Sequence, residues 1–374
     1  MTVSESSHSN NRLFCIDVFR GFAIALMLIA DNPGNPLRIY PQLRHALWNG
    51  WTLADLAFPF FIMIMGMVIP AAFERRIAKG ETELSIIKHL VTRSILLFLL
   101  GLFLNGFPLF DLSVIRIPGV LQRLALVYLA SGLVYMSVKK LQRNSQSKKL
   151  LIVISLAFGI ILSYAWILNF GSVPEQGNLI QILDLNWLKG HLYTPTWDPE
   201  GILSTYPAIA SGLLGLAAGQ ILFYPSKKAV QPFLTLFLGG LLMLLLGLTF
   251  DRWIPINKNV WSGTFVLLTS GFTYILIALL YVWVDIKKQL ALFKPFIILG
   301  SSPIIIYVVS EIIRKTLWVI PITSEVQGMT MPMNIWLTTT FFTPWAGDRL
   351  DSFYFSVCYV LLWCIAINSS RRKT

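Results

Sequence analysis

Polar chemistry is scarce in this chain, so each cluster of it draws notice. The stretch RHALWNGWTLADLAFPFF, Arg44 to Phe61, sets a histidine, two tryptophans, an asparagine and an aspartate directly ahead of a run of phenylalanines. An imidazole with an ordinary pKa of about 6.5 is the side chain best suited to moving a proton at neutral pH. His45 is therefore the candidate base, and Asp55, ten residues on, is of the type that holds an imidazole's tautomer. The other histidines offer less: His8 is in a polar leader, His89 in a basic loop and His191 in a long loop.

Other polar groups fall at similar boundaries between loop and apolar run. In IDVFRGFAIALMLIADNPGN, Asp17 and Arg20 stand at i and i+3 on one helical face, where they can pair as an interfacial salt bridge or hold an anion. In GVLQRLALVYL, Arg123 follows Gln122 inside a span, where a structural ion pair with Asp55 or Glu311 and a contact to substrate both suit it. Asp198 and Glu200 in DPEG precede a helix start that they are placed to cap. Asn257, Lys258, Asn259 and Trp261 in INKNVW open another helix. Trp48, Trp51, Trp197 and Trp261 stand near loop–helix boundaries, where an aromatic belt at a membrane surface would place them. The three cysteines, Cys15, Cys358 and Cys364, have no metal-ligand or redox spacing, and no metal is expected.

The elements that must position these groups are membrane helices. The 374 residues are 55% hydrophobic and 13% charged, far below the roughly 25% charged usage of soluble domains. A helix needs about 20 apolar residues to cross the hydrocarbon. Ten runs qualify, near 14–31, 53–72, 90–106, 118–137, 150–168, 204–222, 232–250, 262–284, 294–311 and 352–368. The expectation is an all-α polytopic protein forming one membrane domain over 1–374, with a disordered leader over 1–12. The net charge of +12 does not mark a nucleic-acid binder, because the basic residues fall in short clusters between apolar runs. Alternate loops divide the 30 Lys and Arg as nineteen against nine, with Arg20 and Arg123 inside spans, which predicts that both termini are cytoplasmic. The quoted stretch, DPEG, NKN and Arg123 then converge on the external face. Two external loops, about 169–203 and 312–351, are long, and MNIWLTTTFF in the second is too short to span and is read as re-entrant or interfacial. The small residues Ala210, Ser211, Gly212, Gly215, Ala217, Ala218 and Gly219 predict close helix packing.

On residues alone, a membrane transferase and a transporter both fit; no pair of broken helices recurs in corresponding halves to favour the transporter. The motifs IDVFRG, DNPGN, LRHALWNGWTLADLAFPFF, GVLQRLALVYL, DPEGILSTYPAIASGLLGLAAG, PINKNVWSGTFVLLTSG and LGSSPIIIYVVSE resemble those of the heparan-alpha-glucosaminide N-acetyltransferase family of transmembrane acyltransferases, over about residues 12–311. The resemblance implies transfer of an acetyl group from cytoplasmic acetyl-CoA, as co-substrate and without metal, to the amine of glucosamine or a related amino sugar on the external side. It assigns catalysis to His45, Asn32 and Asp55. Arg20, Asp17, Arg123, Gln122 and Tyr307 are then candidates for holding acetyl-CoA, and Trp48, Asn49, Trp197, Asp198, Glu200, Asn257, Lys258, Asn259 and Trp261 for holding the acceptor. Ser302 departs from the family, many of whose members carry asparagine there. The alternatives are a transporter of an amino sugar or cell-wall fragment and an O-acyltransferase acting on a glycan or lipid-linked hydroxyl. The lipid bilayer and a small amino sugar are the expected partners, with a homodimer also compatible and a bacterial inner membrane the expected location.

Overall fold

A computed structural model describes residues 12–142, 145–171, 173–224, 229–323 and 330–371. His8, most of the expected leader, and Arg143, Lys227, Lys228, Arg372 and Lys373 lie outside them. The chain is all-α: helices α1 (Phe14–Asp31), α2 (Ala57–Ala78), α3 (Glu83–Gly106), α4 (Val120–Leu141), α5 (Gln146–Ile167), α6 (Leu179–Leu188), α7 (Ile202–Phe223), α8 (Val230–Phe250), α9 (Gly263–Leu280), α10 (Lys294–Leu299) and α11 (Pro303–Val319) precede a short hairpin, β1 (Pro321–Thr323) with β2 (Thr330–Pro332). Helices α12 (Met333–Phe341), α13 (Thr343–Ala346) and α14 (Asp351–Arg371) follow it.

Each of the ten apolar runs is helical, but they do not all cross in one way. Among the described residues, eight helices are long and apolar enough to span a membrane, and a ninth span arises if α10 and α11, bent by 64° at their junction, count together. The tenth, α1, has 18 residues that include Asp17, Arg20 and Asp31, so it is too charged to qualify. The run 294–311, expected as one span, is broken at Gly300–Ser302. Nothing charged marks the break, yet it exposes carbonyls, and Arg20 Nη1 donates to Gly300 O at 3.1 Å. The N-terminus of α1 is capped from afar: the N–H groups of Phe14 and Cys15 both donate, at 2.9 Å, to the carboxylate of Asp285.

Small residues decide which helices are central. An added Cβ at Gly66 would lie 2.2 Å from Gly212 O, and one at Gly215 or Gly219 would lie 2.2 Å from Met63 O or Met67 O. Backbones of α2 and α7 therefore touch, as the small-residue run predicts, and lipid provides no hydrophobic drive that could replace this contact. These two helices are the most enclosed of the spans, whereas α14 and α8 turn most of their apolar surface outward, where lipid covers it. Glycines fit α10 against α1 in the same way: a Cβ at Gly21 would meet Phe296 O at 1.8 Å, and one at Gly300 would meet Asp17 O at 2.1 Å.

The two long loops are more regular than their composition suggests. The first contains α6, whose Asp184 Oδ1 accepts the Ile202 N–H at 2.9 Å and so caps α7. Asp198 and Glu200, expected to cap that helix, do not, because both turn to Arg116. The second loop contains the hairpin and α12, which the MNIWLTTTF residues form; it packs under the turn after α1, with Asn334 Nδ2 donating to Gly34 O at 3.1 Å. Exchanging Gly215 for valine should overpack the α2–α7 contact, lowering the thermal unfolding midpoint in detergent by at least about 4 °C. Valine at Gly159, where a Cβ meets nothing within 4 Å, should leave the midpoint in place.

Candidate active site

Residues 44–56 fold around one carboxylate. Asp55 is fully buried, in the turn that leads into α2. Its Oδ2 accepts the N–H of Ala46 at 3.1 Å, the N–H of Thr52 at 3.0 Å and the Thr52 hydroxyl at 3.2 Å. Its Oδ1 faces His45 Nδ1 at 2.8 Å and Lys258 Nζ at 3.2 Å. Lys258 Nζ also lies 3.0 Å from His45 Nδ1. A carboxylate is best satisfied by a proton on Nδ1, while the lysine can satisfy itself through Oδ1, so the arrangement favours the tautomer whose Nε2 is free to accept a proton.

The other imidazole nitrogen points to a different carboxylate. His45 Nε2 stands 3.8 Å from Oδ1 of Asp31, the last residue of α1. The two acids differ in setting: the Asp31 side chain is 34% exposed and that of Asp55 is not exposed at all. Burial and Lys258 both pull the His45 pKa down, but the carboxylates of Asp31 and Asp55 outweigh them and leave it above the ordinary value. The base form of His45 is therefore gained only as pH rises past that raised value.

Two loop segments bring these groups together. Gly50 donates its N–H to Ile256 O at 2.7 Å and pairs alongside Asn257. Its φ of +95° is one that residues with a Cβ rarely adopt. Asn257 Nδ2 donates to Asn49 Oδ1 at 3.0 Å, and Asn259 Nδ2 to Leu47 O at 3.1 Å. These bonds tie the INKN loop to the HALWNG loop and set Lys258 beside His45. Asn32 follows Asp31 directly; its Nδ2 donates to Leu28 O at 3.0 Å and, more weakly, to Ser310 Oγ of α11 at 3.4 Å. The turn after it is clamped by α14, where Ser356 Oγ donates to Asn32 O and Ser352 Oγ both accepts from Asn35 N and donates to Asn35 O, all at 2.9 Å. Gly34 is needed in that turn because a Cβ would lie 1.9 Å from Thr338 Oγ1.

Beneath this cluster lies a cavity of about 530 Å³. Its walls include Arg20, Met27, Phe58, Arg93, Tyr128, Ser301, Ser302 and Tyr307. Along α2 the lining runs from Phe58 to Ala72, roughly 21 Å at 1.5 Å per residue. One end has the guanidinium groups of Arg20 and Arg93; the other, at Met27 and Phe58, comes within one helical turn of Asp31 and Asp55. The Gly300–Ser302 break contributes Ser301 and Ser302 to the wall.

The remaining candidates divide between these regions and the protein's interior. Arg20 and Tyr307 line the cavity, and Asp17 reaches it only by pairing with Arg20 at 3.0 Å. Gln122 is buried between α3 and α4, its amide against Gly101 and Gly119. Arg123 is paired with neither Asp55 nor Glu311; the latter binds Arg314. Instead Arg123 donates to Thr205 Oγ1 at 3.3 Å, to Pro199 O at 2.8 Å and to Ser204, and lies 4.8 Å over the Trp261 ring. Trp261 is wholly buried, packed edge-on to Phe58 and Phe265, with Nε1 donating to Ser211 Oγ at 3.2 Å. Asp198 takes a two-pronged bond from Arg116 at 2.8 and 2.6 Å, and Glu200 bonds the same guanidinium. Burial raises the Glu200 pKa, but Arg116 and Arg123 prevail and hold it below the ordinary value. Trp48 and Trp197 meet edge to face at 5.4 Å beside the His45 loop and are both half-buried. Asp31 is the acid that the sequence did not single out: in ADNPGN it reads as the end of a helix, and only the fold sets it across from His45.

Residues 14–183 match a family model described as a domain of unknown function, DUF5009. Over 361 aligned residues the chain is 31% identical to the heparan-alpha-glucosaminide N-acetyltransferase of Mus musculus, covering 82% of this chain and 54% of that protein. It is 30% identical over 358 residues to the Homo sapiens protein of the same name, covering 81% and 53%. The chain thus spans about half the length of the curated relatives it matches.

The electrostatics at His45 can be read by NMR on protein carrying labelled histidine, with only four resonances to assign. The wild-type imidazole should titrate above 6.5. Asp55→Asn should move it down, since a raising partner is lost, and Lys258→Met should move it up.

Proposed function

We propose that this chain, which belongs to the family of the heparan-alpha-glucosaminide N-acetyltransferases, is a membrane-embedded acetyltransferase that moves an acetyl group from cytoplasmic acetyl-CoA to the amine of glucosamine or a related amino sugar on the external side. The observation that carries this reading is the cavity, with basic groups at one end and the His45 cluster one helical turn beyond the other. Coenzyme A bears several phosphate charges on a narrow, mostly uncharged arm. Its phosphates cannot enter hydrocarbon, so a donor used on the far side must be threaded from the basic end. Arg20 and Arg93 suit the phosphates as charge-assisted donors, and the apolar walls at Ile64, Met65, Val68 and Leu97 suit the arm.

A thioester supplies an acetyl group that is already activated, so the protein's task is to place the amine, take its proton and steady charge on the carbonyl oxygen. His45 Nε2 accepts the proton, and Asp55 holds Nδ1 and balances the imidazolium that forms. Asn32 is suited to the carbonyl oxygen, since its weak bond to Ser310 can be exchanged for a stronger one. On the acceptor side, Trp48 and Trp197 offer the partly open aromatic surface and Asn49 an exposed amide. Asp198, Glu200, Asn257, Asn259 and Trp261 serve this site from behind, by fixing the loops that present it. Direct transfer is preferred over an acetyl-histidine because Nε2 faces a carboxylate across an open gap. The clustering of basic residues in alternate loops supports the stated direction and cytoplasmic termini, and a bacterial inner membrane is the setting we infer.

Purified protein given acetyl-labelled acetyl-CoA should release free thiol and labelled product in a glucosamine-dependent way, and His45→Ala should abolish both while retaining acetyl-CoA binding. Arg20→Ala should raise the acetyl-CoA KM about 10-fold or more with kcat less affected, the scale of one lost charge-assisted bond. Binding of glucosamine without any turnover of acetyl-CoA would instead favour a transporter.

A further inference from the structure

The His45 imidazole lies between two carboxylates that do not do the same work. Asp55 is enclosed and fully engaged by N–H and O–H donors. Asp31 is partly exposed, and its one ion-pair partner among the described residues is His45, across a 3.8 Å gap. That separation is too long for a hydrogen bond. It is nevertheless a workable width for a guest: a nitrogen about 2.8 Å from each of two atoms so spaced sees them at an angle of about 85°, which a tetrahedral ammonium reaches with modestly bent hydrogen bonds. Asp31 also ends α1, where the unpaired carbonyls carry partial negative charge, and the last turn of that helix has no basic residue to offset it. A carboxylate at the negative end of a helix is electrostatically misplaced unless a cation comes to it.

Resting on the acetyltransferase reading, we propose that Asp31 is the acceptor-selecting residue: it binds the ammonium form of the incoming amine and holds its nitrogen against His45 Nε2, making the enzyme select cationic amines over hydroxyls and uncharged amines. The ammonium enters with three protons. One passes to His45 Nε2 and on to solvent, freeing the lone pair. The nitrogen then bonds the acetyl carbonyl carbon as the carbon–sulfur bond breaks. A second proton leaves the nitrogen through His45 for the departing thiolate, and the third stays on the amide. Charge and atoms balance as ammonium plus thioester giving amide, thiol and one proton. Asp31 takes no part in the bond changes; it places the nitrogen.

Two probes separate charge recognition from chemistry: glucosamine, largely an ammonium near neutral pH, and methoxyamine, a nucleophilic amine that is uncharged there. Asp31→Asn should raise the glucosamine KM about 10-fold or more and reduce the preference for glucosamine over methoxyamine by a similar factor, with Asp31→Glu recovering part of both. A test that needs no variant uses glucose, which carries a hydroxyl where glucosamine carries the ammonium. Glucosamine should suppress wild-type transfer to methoxyamine at concentrations at least about 10-fold below those at which glucose does, by the same loss of one charged contact. Unchanged acceptor preference in Asp31→Asn, or equal suppression by the two sugars, would overturn the inference while leaving the acetyltransferase intact. Failure of the wild type to acetylate either amine would remove the acetyltransferase reading and the inference with it.

Discussion

A carboxylate with no exposed surface, at the mouth of a membrane helix, must be compensated nearly completely, because an uncompensated buried charge costs several kcal/mol. Asp55 meets that demand with two backbone N–H groups, a hydroxyl, an imidazole and an ammonium. Much of the local architecture is what it takes to deliver those five partners. The HALWNG loop must curl so that Ala46 and His45 both face inward. Gly50 must take a positive φ so that the INKN loop can pair beside it. Lys258 must then arrive from 200 residues away in the chain. The imidazole is thereby fixed at one nitrogen and open at the other.

The rest of the molecule holds that arrangement still. Glycines bring α2 and α7 into backbone contact, so the helix that follows Asp55 is anchored along its length. Arg123, buried over Trp261, joins the start of α7 to the INKN loop. Arg116 fastens Asp198 and Glu200 at the same level, and the serines of α14 grip the turn after Asn32. Helix α1 relates the two ends of the cavity by itself: Arg20 faces the basic end, while Asp31, eleven residues or roughly 16 Å further along, faces His45. The chain tolerates so charged a helix because Asp17 and Gly300 O meet the charge of Arg20 and because Asp31 lies at the partly exposed end, facing His45.

The sequence made the helices legible because each long apolar run has few alternatives in lipid. The bend between α10 and α11 is marked only by Gly300, Ser301, Ser302 and Pro303, turn residues without charge that are few enough to be read as part of one apolar run. Nor did the sequence reveal helix α6 in a loop rich in turn residues. The Arg44–Phe61 stretch declared its chemistry through residue types alone, and the fold sets His45, Asp55 and Lys258 in contact. The partners of Asp198, Glu200 and Arg123 were hidden because each comes from a distant segment: Arg116 precedes Asp198 by 82 residues, so local spacing suggested a helix cap instead. Asp31 was missed for the same reason, its role depending on a gap that only tertiary structure defines.

On this reading, a donor entering at Arg20 and Arg93 delivers its acetyl carbon to the gap between His45 and Asp31. A cryo-electron microscopy structure with a non-hydrolysable ketone analogue of acetyl-CoA tests it directly. The account predicts phosphates beside Arg20 and Arg93, the arm along α2, and the ketone carbon past Met27 and Phe58 within reach of a nitrogen held at His45 Nε2. An analogue bound with its ketone away from His45, or with its phosphates at the His45 end, would contradict it.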